Sequence, residues 1–272
     1  MTSRKKKALG QHFLKNPYVL RKIIDCISPQ GQDFIIEIGA GKGALTFPLT
    51  ERAGKVVAIE RDRELASFIR EKNIPNLLIL EENVLYVNFR ELIKKENSSQ
   101  GIVKIVGNLP YSISSPILFK IYEYKNLFSV CIFLLQKEVA ERICSLPGSK
   151  KFAPITILFQ NVFETQICTQ VGPNSFTPPP KVRSTLISLK KREKTLYPLK
   201  DEREFHRFLK ISFQSRRKTL FNNLTLGGHS RARLDGVFQS LELEKMIRPE
   251  QVDINRFRSL FETLKASSPS ID

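Results

Sequence analysis

The stretch Phe34-Ile35-Ile36-Glu37-Ile38-Gly39-Ala40-Gly41-Lys42-Gly43, residues 34–43, decides the fold. A short, nearly unbroken apolar run marks a strand buried on both faces. Three alternating glycines then let the chain turn tightly and bring its backbone close to a ligand. Behind them Ala44, Leu45, Phe47 and Leu49 carry a helix. The pattern repeats: Lys55–Ile59 reads as a second strand ending at Glu60, a polar helix covers 62–72, and Leu77–Leu80 is a third strand. Further strands are predicted over 102–107 and 130–135, with a short helix over 137–143. Alternation of this kind builds a mostly parallel α/β sheet covered on both sides. Strands predicted near 154–163 and 182–189 have no helix-length pattern between them, so they are expected to pair antiparallel at one edge.

Residues 1–16 form a basic arm ending in Gly10-Gln11-His12-Phe13-Leu14, and Val19, Leu20, Ile23, Ile24 and Ile27 mark a helix behind Pro17. After Lys190-Lys191-Arg192 the composition changes: Phe205, Phe208, Leu209, Ser212 and Phe213 share a helical face, and Leu220, Phe221 and Leu224 continue the spacing. Gly227-Gly228 breaks it, and short amphipathic pieces follow around 236–243 and 254–264. Residues 1–192 therefore read as the main domain and 193–272 as a small helical one.

The 272 residues are 41% apolar, the balance of a globular chain. No run approaches the ~20 apolar residues of a membrane span, and no apolar segment follows the basic amino terminus. A soluble cytoplasmic protein without a membrane partner is expected, taken to be a monomer. Cys26, Cys131, Cys144 and Cys168 are scattered and never in C-x-x-C pairs, which argues against zinc and against a disulfide framework. The net charge of +17 and pI of about 9.8 call for an anionic partner, nucleic acid being the commonest. A generally basic surface has the same composition, and charge does not separate RNA from DNA.

Glycine loop, acid and strand ends together suggest a ligand. A tight strand-to-helix turn alone would account for Gly39 and Gly41, and their spacing is not the G-x-G-x-x-G of dinucleotide folds. Glu60, at the end of the next strand, can accept hydrogen bonds from both hydroxyls of a ribose. Asn83, beyond the third strand, can accept from an adenine amine. One adenosine-containing cofactor would span these three ends, and S-adenosylmethionine, which carries no phosphates, suits them best. At the fourth strand end stands Asn108-Leu109-Pro110-Tyr111. The Asn108 oxygen and the Leu109 carbonyl can both accept from a planar exocyclic amine, Pro110 fixes the turn, and Tyr111 offers a face on which a base can stack. Arg216-Arg217-Lys218 and Lys5-Lys6-Lys7 are candidates for phosphate contact.

GQHFL (10–14), EIGAGKG (37–43), Glu60, NLPYSISSP (108–116), LLQKEVAERI (134–143), FTPPPKVRS (176–184) and QSRRKT (214–219) occur in the order seen in one family. The chain resembles the bacterial KsgA/RsmA ribosomal RNA adenine dimethyltransferases over nearly its whole length. The resemblance implies a Rossmann-like class I methyltransferase fold with a helical RNA-binding tail. It implies transfer of two methyl groups from S-adenosylmethionine to N6 of each of two adjacent adenosines in the 3′-terminal stem-loop of 16S rRNA, and a link to late small-subunit maturation. It implies cofactor contacts from His12, Leu14, Gly39, Glu60, Asn83 and Asn108, with Phe176 as a second ring clamping the adenine opposite Tyr111. Position 12 is commonly Asn in the family, position 83 Asp and position 183 Asp, where this chain has His12, Asn83 and Arg183.

The N6 lone pair is delocalised into the purine ring. Two fixed acceptors would draw its hydrogens toward a tetrahedral arrangement and aim the lone pair at a methyl group, a gain from positioning rather than from a strong base. Three rival readings share parts of this pattern. An Erm-type enzyme acting on large-subunit rRNA shares the chemistry but not the triple proline run and tail. A DNA adenine methyltransferase commonly has two prolines in its quartet, and an assembly factor that has lost catalysis would not need an intact one.

Overall fold

The structure, a computed structural model, describes residues 12–97, 101–197 and 201–266. Strands β2 (Phe34–Ile38), β3 (Lys55–Glu60), β4 (Leu77–Glu81), β5 (Val103–Asn108), β6 (Val130–Gln136), β7 (Phe163–Val171) and β9 (Ser184–Lys191) form one sheet in the order β4-β3-β2-β5-β6-β9-β7. The pairs from β4 through to β6 are parallel, and β9 runs antiparallel to β6. The register explains the site. Ile38 lies opposite both Ile59 and Gly107, and Glu60 lies opposite Glu81. The carboxyl ends of four strands are therefore level, and the chain leaves each of them at the same rim of the sheet.

Helices alternate with the parallel strands: α1 (Pro17–Ile27), α2 (Thr46–Thr50), α3 (Arg63–Arg70), α4 (Phe89–Glu96) and α5 (Ser114–Glu123). Helix α1 starts where the Asn16 side chain accepts from the Tyr18 and Val19 amides. Its buried stripe of Val19, Ile23, Ile24 and Ile27 packs with Ile35, Val56, Val106, Ile132 and Leu186 of the sheet. Each such side chain contributes roughly 1.5–3 kcal/mol when fully buried. A separate two-stranded ribbon joins β1 (Phe13–Leu14) to β8 (Phe176–Thr177), with Leu14 opposite Phe176. Cys26 and Cys168, 142 positions apart, bring their sulfurs to 2.8 Å, a proximity that their scattered spacing does not announce.

The segment expected as a strand near 154–163 is helix α7 (Pro154–Val162), preceded by α6 (Lys137–Ile143). Ile155, Thr156, Ile157 and Val162 favour strands in isolation. Here Pro154 opens a helix, and Thr156, Ile157, Leu158, Phe159, Asn161 and Val162 are all buried, so no polar face betrays the helical period. The edge pair of the sheet is instead β9 with β7.

The chain divides into two compact units, Met1–Ala140 with Glu164–Lys191, and Glu141–Phe163 with Arg192–Asp272. A break at 192/193 does not anticipate that 141–163 belongs with the second unit. Within that unit α8 (Glu202–Ser212), α9 (Leu220–Leu226), α10 (Arg231–Ser240) and α11 (Ile254–Ala266) surround an aromatic core, in which Phe257 stacks on Phe213 at 5.4 Å and meets Phe208 edge-on.

Candidate active site

The level strand ends open into a cavity of about 940 Å³, within the size range of small-molecule sites. His12, Leu14, Gly39, Gly41, Glu60, Asn83, Asn108, Leu109, Pro110 and Tyr111 all line it, together with Glu37 and Thr177. All of these residues lie in the first unit.

At the glycine loop the backbone has the left-handed conformation that favours glycine, with φ of 77° at Gly39 and 58° at Gly41. A Cβ placed on Gly39 would meet only the Asn108 carbonyl oxygen, at 3.9 Å, so the loop is open on the ligand side. A Cβ on Gly41 would press on the Phe13 ring at 3.2 Å, so Phe13 lies over the loop. Glu60 is only 4% exposed. Its Oε2 accepts from the Gly41 amide and its Oε1 from the Asp62 amide, both at 2.9 Å. Each carboxylate oxygen retains a lone pair for a ribose hydroxyl. Asn83 uses its oxygen to cap the turn over Val84–Tyr86 by accepting from the Leu85 amide at 3.1 Å. The acceptor expected to meet an adenine amine is thus also a structural cap.

Glu37 is a buried acid on the cavity wall to which the motifs assign no role. It is 1% exposed, and its Oε2 accepts from the Thr46 hydroxyl at 2.6 Å. Burial pushes its carboxyl up to about 7; the Thr46 bond opposes this and the nearby Glu60 charge adds to it. The available signal was an acid inside the otherwise apolar Phe34–Ile38 run.

At the other end, Leu109-Pro110 leads into a single turn, Tyr111–Ile113, closed by the Ile113 amide on the Pro110 carbonyl at 3.1 Å. Asn108 donates through Nδ2 to the main-chain carbonyl of His12 at 2.8 Å. Its Oδ1 has no hydrogen-bond partner among the described residues. Tyr111 is half-buried, and its hydroxyl is tied to Ser184 Oγ at the start of β9. Burial raises the phenol above its ordinary range, with the Ser184 bond opposing, so the ring is neutral.

Phe176 is not among the residues that line the cavity with Tyr111. Its ring is 1% exposed and packs in the core with Leu14, Val171, Leu134 and Leu186. The structure thus shows Phe176 as a core ring opposite Leu14 in the β1–β8 ribbon, and not as the second ring of the expected clamp. The ring that does meet Tyr111 is His12, with centroids 5.5 Å apart and planes tilted by 37°.

Arg216, Arg217 and Lys218 are exposed on the turn between α8 and α9 in the second unit. Buried Asn223 pins that turn, accepting from the Ser215 amide and donating to the Ser215 carbonyl, each at 3.1 Å. Lys5, Lys6 and Lys7 lie outside the described residues.

A parallel sheet with an antiparallel strand toward one edge, a glycine loop with an acid on the next strand, and an Asn-x-Pro-Tyr mouth define a Rossmann-like methyltransferase that uses S-adenosylmethionine. The residues present suit that cofactor: the loop is open beside Gly39, and Glu60 keeps acceptor capacity for a ribose. Residues 2–264 match the family model of ribosomal RNA adenine dimethylases. The ribosomal RNA small subunit methyltransferase A of Caldanaerobacter subterraneus is 37% identical over 261 residues, 95% of this chain and 97% of that protein. That of Xylella fastidiosa is 37% identical over 94% of each. A dimethyladenosine transferase from Plasmodium falciparum superposes with a TM-score of 0.79 at 29% identity, covering 93% of this chain and 98% of its own. The 23S rRNA methyltransferase ErmE, at 22% identity and a TM-score of 0.70, shares the fold. The chain belongs to the ribosomal RNA adenine dimethylase family.

Proposed function

We propose that this protein dimethylates N6 of two adjacent adenosines in the 3′-terminal stem-loop of 16S rRNA, as a monomer in the cytosol, during late assembly of the small ribosomal subunit. When bound, S-adenosylmethionine supplies an electrophilic methyl group. Gly39, Gly41 and Glu60 hold its adenosine half at the glycine loop, with Asn83 at the base. Among the described residues no helix is long and apolar enough to cross a membrane.

The observation that carries this reading is the unpartnered Oδ1 of Asn108 on the cavity wall, two residues before a backbone turn that starts at Pro110. A target adenine that leaves its stack brings an NH2 group to this point. Asn108 Oδ1 and the Leu109 carbonyl accept its two hydrogens, which localises the nitrogen lone pair. Tyr111, tethered by Ser184, gives the base one stacking face and offsets part of the unstacking cost, at ~1–3 kcal/mol per base on comparable aromatic platforms. No strong base is required, since the proton leaves after methyl transfer, when the amine is far more acidic. The pinned turn with Arg216, Arg217 and Lys218, together with Lys5, Lys6 and Lys7, contacts phosphates. Binding therefore weakens steeply with salt.

The test is position-resolved. Small subunits from a strain lacking the modification are incubated with the protein and labelled S-adenosylmethionine, and the rRNA is mapped by mass spectrometry. Two neighbouring dimethyladenosines near the 3′ end of 16S rRNA are expected. Label confined to 23S rRNA or to duplex DNA would overturn the proposal.

A further inference from the structure

We infer that the strap His12–Leu14 is a positioning element of the methyl-transfer site: the main-chain carbonyl of His12 sets which half of the Asn108 amide faces the target amine. This rests on Asn108 holding that amine, as proposed above. A side-chain amide has two ends of similar size and opposite polarity, and rotation by half a turn exchanges them. Only the oxygen end is useful here, because an NH2 group turned toward an amine would oppose a donor with a donor. A carbonyl oxygen can only accept, so the His12 carbonyl, 2.8 Å from Nδ2, admits one of the two orientations. In that orientation Oδ1 is the end of the amide left without a partner among the described residues, on a side chain of the cavity wall.

The strap is itself held at several points. The Lys15 amide donates to the Ser175 carbonyl at 2.9 Å, His12 Nδ1–H donates to the Pro178 carbonyl at 2.7 Å, and Leu14 is buried opposite Phe176. The same segment lays Phe13 over Gly41 and the His12 ring against Tyr111. One short stretch thus touches the glycine loop, the Asn108 amide and the stacking tyrosine. Buried in the ribbon with Leu14, Phe176 anchors the strap from behind. Because the acceptor is main chain, the exchange of the side chain at position 12 from the family's common Asn to His leaves it in place.

The proposal is tested in the full-length protein by pairing Lys15→Pro with Lys15→Ala. Lys15 is exposed, and both substitutions remove its charge, but only Pro removes the N–H that ties the strap to Ser175. At saturating cofactor and RNA, Lys15→Pro is expected to transfer methyl in a single turnover at least about tenfold more slowly than Lys15→Ala. In a ¹⁵N-correlated spectrum of wild type, one Asn108 side-chain amide proton should be shifted downfield and protected from exchange, and Lys15→Pro should lose this signature. Equal rates in the two variants, or a fall in rate with the Asn108 resonance unmoved, would overturn the assignment. Should Lys15→Pro fail to fold, His12→Gly, which removes the Nδ1–H tie to the Pro178 carbonyl and loosens the backbone that carries the acceptor, is expected to lose the signature and rate together; wild-type values of either would overturn the assignment. An Asn108→Ala protein that transfers at the wild-type rate removes both this inference and the reading beneath it. Inactive Asn108→Ala beside fully active strap variants removes this inference alone.

Discussion

The two ends of the cavity treat their polar groups differently. At the glycine loop, the groups that would meet the cofactor are first parts of the scaffold. Glu60 accepts two backbone amides and Asn83 caps a turn, so a ligand there shares acceptors already in use. At the reacting end, Asn108 is tied through its nitrogen and open through its oxygen. The first end couples affinity to local order, so that losing a side chain there disturbs the loop as well as the contact. The second keeps one acceptor apart from the fold, and chemistry can be lost there while binding survives.

The sharpest way to break this contrast uses the two aromatic rings once expected to act together. Phe176→Ala removes a core ring and is expected to lower the unfolding free energy by about 3–5 kcal/mol, measured by urea denaturation. Unchanged stability with lost activity would return Phe176 to the cavity wall.

A smaller effect comes from Glu37, whose carboxyl rises from an ordinary 4.5 to about 7 in the folded protein, mainly through burial. Below pH 4.5 the group is protonated in both states and carries no pH-dependent penalty. Between 4.5 and 7 the unfolded chain ionises first, so this group lowers stability as pH rises, by about 3 kcal/mol at most. Glu37→Gln should abolish that fall, which paired unfolding curves at pH 5 and pH 8 would show. A parallel pH dependence in wild type and variant would place the Glu37 carboxyl elsewhere.

The smallest of the three is Glu60→Ala. Loss of charge-assisted hydrogen bonds worth about 1.5–3 kcal/mol should weaken cofactor binding about 10- to 100-fold in calorimetry. Melting temperature should fall with it, because the Gly41 and Asp62 amides lose their acceptor. Loss of affinity at unchanged melting temperature would mean that the two ends of the cavity are built alike.

Much of this architecture is legible in the sequence. Val103–Asn108 and Val130–Gln136 are apolar runs that leave little choice but buried strands, and their level ends follow from parallel register. Helix α7 was hidden because a segment buried all round has no period to reveal, and its β-branched residues point the wrong way. Helices α4 and α5 lie outside the elements that the sequence pattern predicts. The cavity gathers Gly39, Glu60, Asn83, Asn108 and Tyr111, whose motifs sit at strand ends. What the sequence could not show is tertiary: that Phe176 turns inward, that the His12 carbonyl reaches Asn108 across 96 positions, and that Glu37 lines the wall.

The most direct test separates chemistry from binding at Asn108. Asn108→Ala is expected to slow single-turnover methyl transfer to unmodified small subunits by about 10²–10³-fold, while filter binding returns the wild-type affinity for the same particles. A variant that still transfers methyl at the wild-type rate, or one that loses affinity in proportion to rate, would contradict the account.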